Sequence, residues 1–127
     1  MIYTSYFAMT KKLLNAGFDN LVAISGSVPE FYSKQIEIDN RLKRCLEIAP
    51  KKDWWFDWKN GKISNDQFKE LYYKTVLEKI DIENLLKKLG DNAVFLCYEK
   101  PGDFCHRHLF ATYLKEKNGL EVVEIKF

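Results

Sequence analysis

Proline and glycine are scarce, with 3 and 6 residues in a chain of 127, so no Pro- or Gly-rich linker divides the sequence. No apolar run approaches the roughly 18 residues that a membrane span needs, which excludes a helical span. Neither sign of charge dominates: 20 Lys and Arg stand against 18 Asp and Glu, a net charge of +2. That balance excludes a global polyanion-binding surface and leaves room for a local basic patch. The 3 cysteines are odd in number and follow no recognisable signal peptide, so free thiols in a reducing cytoplasm are expected instead of a disulfide framework. Internal repeats and low-complexity tails are missing too. Aromatic residues are what the chain has in plenty, at 15%. They imply a ring-rich core or a stacking surface.

A chain of this length suits one domain, residues 1–127. It buries roughly two thirds of its unfolded surface, enough for a core without staples. Ile2 to Ser5 reads as a strand, Met9 to Ala16 as a helix stopped by Gly17, and Leu21 to Ser25 as a buried strand. Ile38, Leu42, Cys45 and Leu46 recur at helical spacing and predict a helix over Ile36 to Ile48, ended by Pro50. Lys51 to Lys62 reads as an irregular aromatic and basic stretch. Ser64 to Gln67 has the form of a capping box and opens a helix carrying Phe68, Leu71, Tyr72 and Leu77. Asp81 can cap a short helix with Ile82, Leu85, Leu86 and Leu89, terminated by Gly90. Ala93 to Tyr98 is the clearest strand; a helix over Phe104 to Lys117 and a strand over Leu120 to Lys126 follow.

Strands that alternate with helices pair in parallel. The expected fold is therefore α/β: a small three-layer sandwich around a four-stranded, mainly parallel sheet. Ligands of such sheets bind outside the carboxyl ends of the strands. Three polar ends should meet there: Ser5-Tyr6, Ser25-Gly26-Ser27, and Cys97-Tyr98-Glu99 with its loop to Cys105.

The last of these is the richest in chemistry. Pro101-Gly102 suits a tight turn, and Asp103 is a good N-cap. Cys105 would then sit in the first turn of a helix, where the dipole, Arg107 and Lys100 would lower a thiol pKa and favour an anion. At about 100° per residue, His106 falls within the buried face marked by Leu109, Phe110, Tyr113 and Leu114, with Cys105 and Arg107 at its edges. His108 falls nearly opposite, towards solvent. The catalytic candidates are Cys105, His106, Glu99 and Cys97, and the substrate-binding candidates are Arg107, Lys100, Ser5, Tyr6, Ser25, Gly26, Trp55 and Trp58.

Each candidate also has a plain structural reading. Cys97 and Cys45 suit core packing, His106 could bond a strand carbonyl, and Glu99 could pair with Lys100 or Arg107. Cys97, Cys105 and His106 offer three zinc ligands, but their spacing matches no compact zinc motif and no fourth ligand is evident, so zinc stays a minor alternative and no cofactor is expected. A Cys97–Cys105 redox pair would lack the usual Cys-x-x-Cys spacing. The Trp54 to Lys59 segment could be a lid or base-stacking platform, or could anchor a long connection onto the core.

The stretch Phe95 to Leu109, with its strand ending in Cys, an acidic residue, a short loop and then Cys105-His106-Arg107, closely resembles the carboxyl-terminal signature of the family called domain of unknown function 488. Ile2 to Ala8, Ile24 to Pro29 and Lys59 to Ile63 resemble other parts of that family. The resemblance implies a small α/β fold and a cytoplasmic bacterial or phage setting, without implying an activity. Many members carry Gly-His after the first strand and Asp-x-Arg after the second; here Tyr6-Phe7 and Ser25-Gly26-Ser27 stand in those regions.

The leading functional expectation is a Cys/His/Arg-dependent transferase or hydrolase acting on an anionic small molecule, nucleotide or nucleic-acid end. The alternative is a non-catalytic module that binds single-stranded nucleic acid through Trp54 to Lys59, and a partner-binding protein without pocket chemistry is the third. No membrane partner is expected.

Overall fold

The computed structural model describes residues 1–99 and 102–127. It contains five strands, β1 (Ile2–Tyr6), β2 (Leu21–Ala23), β3 (Leu42–Arg44), β4 (Val94–Cys97) and β5 (Val122–Glu124). Six α-helices connect them: α1 (Thr10–Asn15), α2 (Glu30–Ile36), α3 (Lys52–Lys59), α4 (Asn65–Thr75), α5 (Ile82–Leu89) and α6 (His106–Asn118). The α/β class and the parallel sheet agree with the sequence, but the sheet has five strands and not four. Its order is β3-β2-β4-β1-β5, and every pairing is parallel.

The additional strand is β3, which lies where the sequence predicts the middle of a helix. Leu42 and Cys45 are buried as that pattern implied, but Ile38 is 81% and Leu46 59% exposed. Leu42, Lys43 and Arg44 instead pair with Leu21, Val22 and Ala23. A ladder to a fully buried neighbour outweighs a helical period carried by only four residues. Lys51 to Lys62 departs in the other direction: Lys52–Lys59 is a regular helix that buries Trp54.

β4 is the central strand, and all four of its residues are buried, which explains its unbroken apolar run. Val94 and Leu96 face one side with Leu21, Ala23, Phe7, Leu13 and Tyr32, the layer of α1 and α2. Phe95 faces the other, against Phe110 at a ring separation of 5.0 Å, in the layer that includes Trp54, Phe68, Tyr72 and Leu85. Ends of elements follow local chemistry. Ser64 and Gln67 form the reciprocal capping box, at 2.8 and 3.1 Å, and Asp81 caps α5. Gly119, at φ 65°, closes α6 in the left-handed conformation that glycine adopts without strain.

The connection after β2 leads outwards to β3, while that after β4 leads the opposite way to β5. The adjacent ends of β2 and β4 therefore form the topological switch point of the sheet, where doubly wound folds open a crevice.

Candidate functional site

The loop after β2 brings Ser25, Gly26 and Ser27 to that crevice, and the loop after β4 brings Tyr98 and Glu99. Pro50 and the α3 residues Lys52, Trp55 and Phe56 close the outer side, with His106 in the wall. Together they line a cavity of about 240 Å³. Ser25 is 7% exposed, and its Oγ has no hydrogen-bond partner among the described residues. An unpartnered buried hydroxyl costs about 1–3 kcal/mol, and Ser25, a residue of this wall, carries one.

α6 begins at His106, two residues later than the sequence suggests, and Cys105 is its N-cap in place of Asp103. Cys105 supplies no side-chain cap bond; it leaves the extended segment with φ −152° and ψ 145°. Its sulfur is thus held against β4 and not in the first helical turn. Cys97 and Cys105 are joined sulfur to sulfur across a Cα separation of 7.5 Å. The expectation of free thiols is corrected for this pair, while Cys45 remains free and buried. Neighbouring Glu47 adds to the burial that pushes its thiol pKa up.

His106 is buried, and its Nε2 lies 2.6 Å from the carbonyl oxygen of Ile24. That oxygen can only accept, so Nε2 carries the proton and Nδ1 keeps its lone pair, 3.9 Å from Cys105 Sγ. Burial lowers the His106 pKa to about 4 despite the bond to Ile24, and the Arg107 charge adds to the effect. Its ring also packs edge-on against Tyr72.

Arg107 is fully buried, and each of its three guanidinium nitrogens has a hydrogen-bond partner. Nε and Nη2 grip Glu124 at 3.2 and 2.8 Å, while Nη1 reaches Cys97 Sγ at 2.9 Å, the Glu99 carbonyl at 2.5 Å and Cys105 Sγ at 3.7 Å. Tyr6 covers the guanidinium at 5.8 Å, and Thr4 Oγ1 donates to Glu124 at 2.5 Å. Arg107 thus stands behind the cavity as a structural clamp on the β4 loop, fully buried and paired with Glu124.

A family model described as the active DUF488-N3 subclade matches residues 27–118. The chain belongs to the DUF488-N3a family. The matched span of the family includes Ser27, all of α3, and the Cys97 to Arg107 element, whereas Ser25 and Gly26 precede it. Comparisons with curated proteins and with solved structures found no match.

The site predicted from sequence therefore divides. Ser25, Gly26, Glu99, His106 and Trp55 meet in the cavity. Cys97, Cys105 and Arg107 form a sealed cluster behind it, where the sulfurs are 0% and 3% exposed by residue. Ser5 and Tyr6 lie beyond β4: Ser5 Oγ donates to the Ile125 carbonyl at 3.2 Å, and Tyr6 belongs to the Arg107 cluster. Trp58 packs on Phe68 and Phe104 and donates to Asn65 at 2.8 Å. His108 is half-buried and not solvent-facing, and its Nε2 has no partner among the described residues. Lys100 and Pro101 lie outside the described residues. Sequence reasoning missed Lys52, Phe56 and Pro50, which reach the cavity only because Lys52–Lys59 is helical; the i, i+3, i+4 spacing of Lys52, Trp55 and Phe56 was the available signal.

Proposed function

We propose that this cavity binds a small anionic ligand carrying an aromatic ring, of the nucleotide or nucleic-acid-end class, and that the chain is an enzyme acting on it. The observation that carries the reading is the unpartnered Ser25 Oγ in the wall of a cavity at the sheet's switch point. Lys52 supplies the cationic group, the Ser25 to Ser27 turn supplies hydroxyls, and Trp55, Phe56 and Tyr98 supply ring surface. Glu99 is the carboxylate of the wall and the group best placed to move a proton. Arg107 fixes its backbone.

The test is titration of the protein with adenosine and guanosine monophosphates and with a short single-stranded oligonucleotide, followed by tryptophan fluorescence. A bound probe should change the Trp55 signal. Ser25→Ala should weaken binding roughly tenfold or more, as expected for loss of a hydrogen bond to a charged group. Trp55→Ala should remove binding. No binding by any probe, or variants that bind like the parent chain, would refute the proposal. Binding of the oligonucleotide alone, with a steep fall in affinity as salt rises, would favour the non-catalytic nucleic-acid module.

A further inference from the structure

The cluster behind the cavity has its own chemistry, independent of what occupies the cavity. We propose that the dithiol form of this chain holds one soft divalent transition-metal ion, of which zinc is the type, on Cys97 Sγ, Cys105 Sγ and His106 Nδ1. These three donors come from the end of β4, the cap of α6 and its first residue, and they lie within 4.8 Å of one another, all buried.

Three further observations support the assignment. Ile24 fixes the imidazole by accepting from Nε2, leaving Nδ1 as a lone-pair donor on the sulfur side; metal-ligating imidazoles are oriented by such a bond from the other ring nitrogen. The charges close: two thiolates balance a divalent ion, and the neighbouring Arg107 is already neutralised by Glu124 at 2.8 Å. Its Nη1–H groups at Cys97 and Cys105 are donors that stabilise sulfur in the thiolate form. Binding displaces one proton from each protonated thiol and forms two metal–sulfur bonds and one metal–nitrogen bond, with no change of oxidation state.

The experiment is a titration of the fully reduced full-length chain with cobalt(II) alone, followed by zinc. The expected result is near-ultraviolet sulfur-to-cobalt charge transfer with visible bands of tetrahedral cobalt, saturating at one ion per chain and erased by zinc. Cys97→Ser and Cys105→Ser should each lower cobalt affinity by at least about a hundredfold, beyond the range for loss of an outer-shell partner, and Cys45→Ala should leave it unchanged. Absence of the charge-transfer band in the reduced wild-type chain would overturn the proposal. So would a band that survives both serine substitutions, or one removed by Cys45→Ala.

Discussion

Arg107 is the largest fully buried side chain, and it shows how a charged residue can be structural and still serve a site. The sequence marks it as an anion clamp, because an Arg beside a helix start next to Cys and His suits that chemistry. What consumes its charge is Glu124, 17 residues away on β5, and no local pattern announces that pair. Removing one member of a buried ion pair leaves the other uncompensated and costs about 3–5 kcal/mol. Glu124→Gln should therefore lower unfolding free energy by that amount in urea titrations. Its pH dependence has a definite sign. Burial alone would raise the Glu124 carboxyl, but hydrogen bonds from Arg107 and Thr4 hold it below the ordinary value of 4.5. The folded pKa is thus below the unfolded one, so the pair's contribution is complete above about pH 4.5 and is lost as pH falls through the folded value. The stability gap between the parent chain and Glu124→Gln should be widest near neutral pH and should narrow in acid; a gap constant across that range would contradict the assignment.

At the scale of elements, α3 and β3 exchange the states that the sequence suggests for them. The aromatic density of Lys51 to Lys62 hides a short amphipathic helix, because a helix with rings on more than one face shows no clean stripe. Trp54 meets Phe68 at 4.9 Å in the core, Trp58 braces Phe68 and Phe104, and Trp55 and Phe56 are left at the cavity. The two readings of this segment, core anchor and ligand platform, are divided among its residues. Trp54→Ala should cost about 3–5 kcal/mol in denaturant unfolding. Phe56→Ala, at a 54% exposed position, should stay within about 0.5 kcal/mol of the parent chain. Equal effects would mean that the helix presents a different face to the core. The caps were far more legible, since Ser64, Asp81 and Gly119 act through neighbours at most three residues away or through φ alone.

For the molecule as a whole, the α/β class, the parallel pairing and the meeting of two strand ends could be read from alternating elements. Strand order could not, because the short strands β3 and β5 take their places from partners distant in sequence. The candidate site was legible as a segment but not as a cavity: of the adjacent residues Cys105, His106 and Arg107, His106 alone lines the cavity. The switch point between β2 and β4 joins residues 25–27, residues 50, 52, 55 and 56, and residues 98, 99 and 106 into one wall. Amide and indole chemical-shift mapping during titration with a nucleoside monophosphate tests that placement most directly. Shifts concentrated at Ser25 to Ser27, the Trp55 indole and Tyr98 to Glu99 are the predicted result; a chain that shows no saturable shifts, or shows them only on surfaces away from the β2–β4 ends, contradicts it.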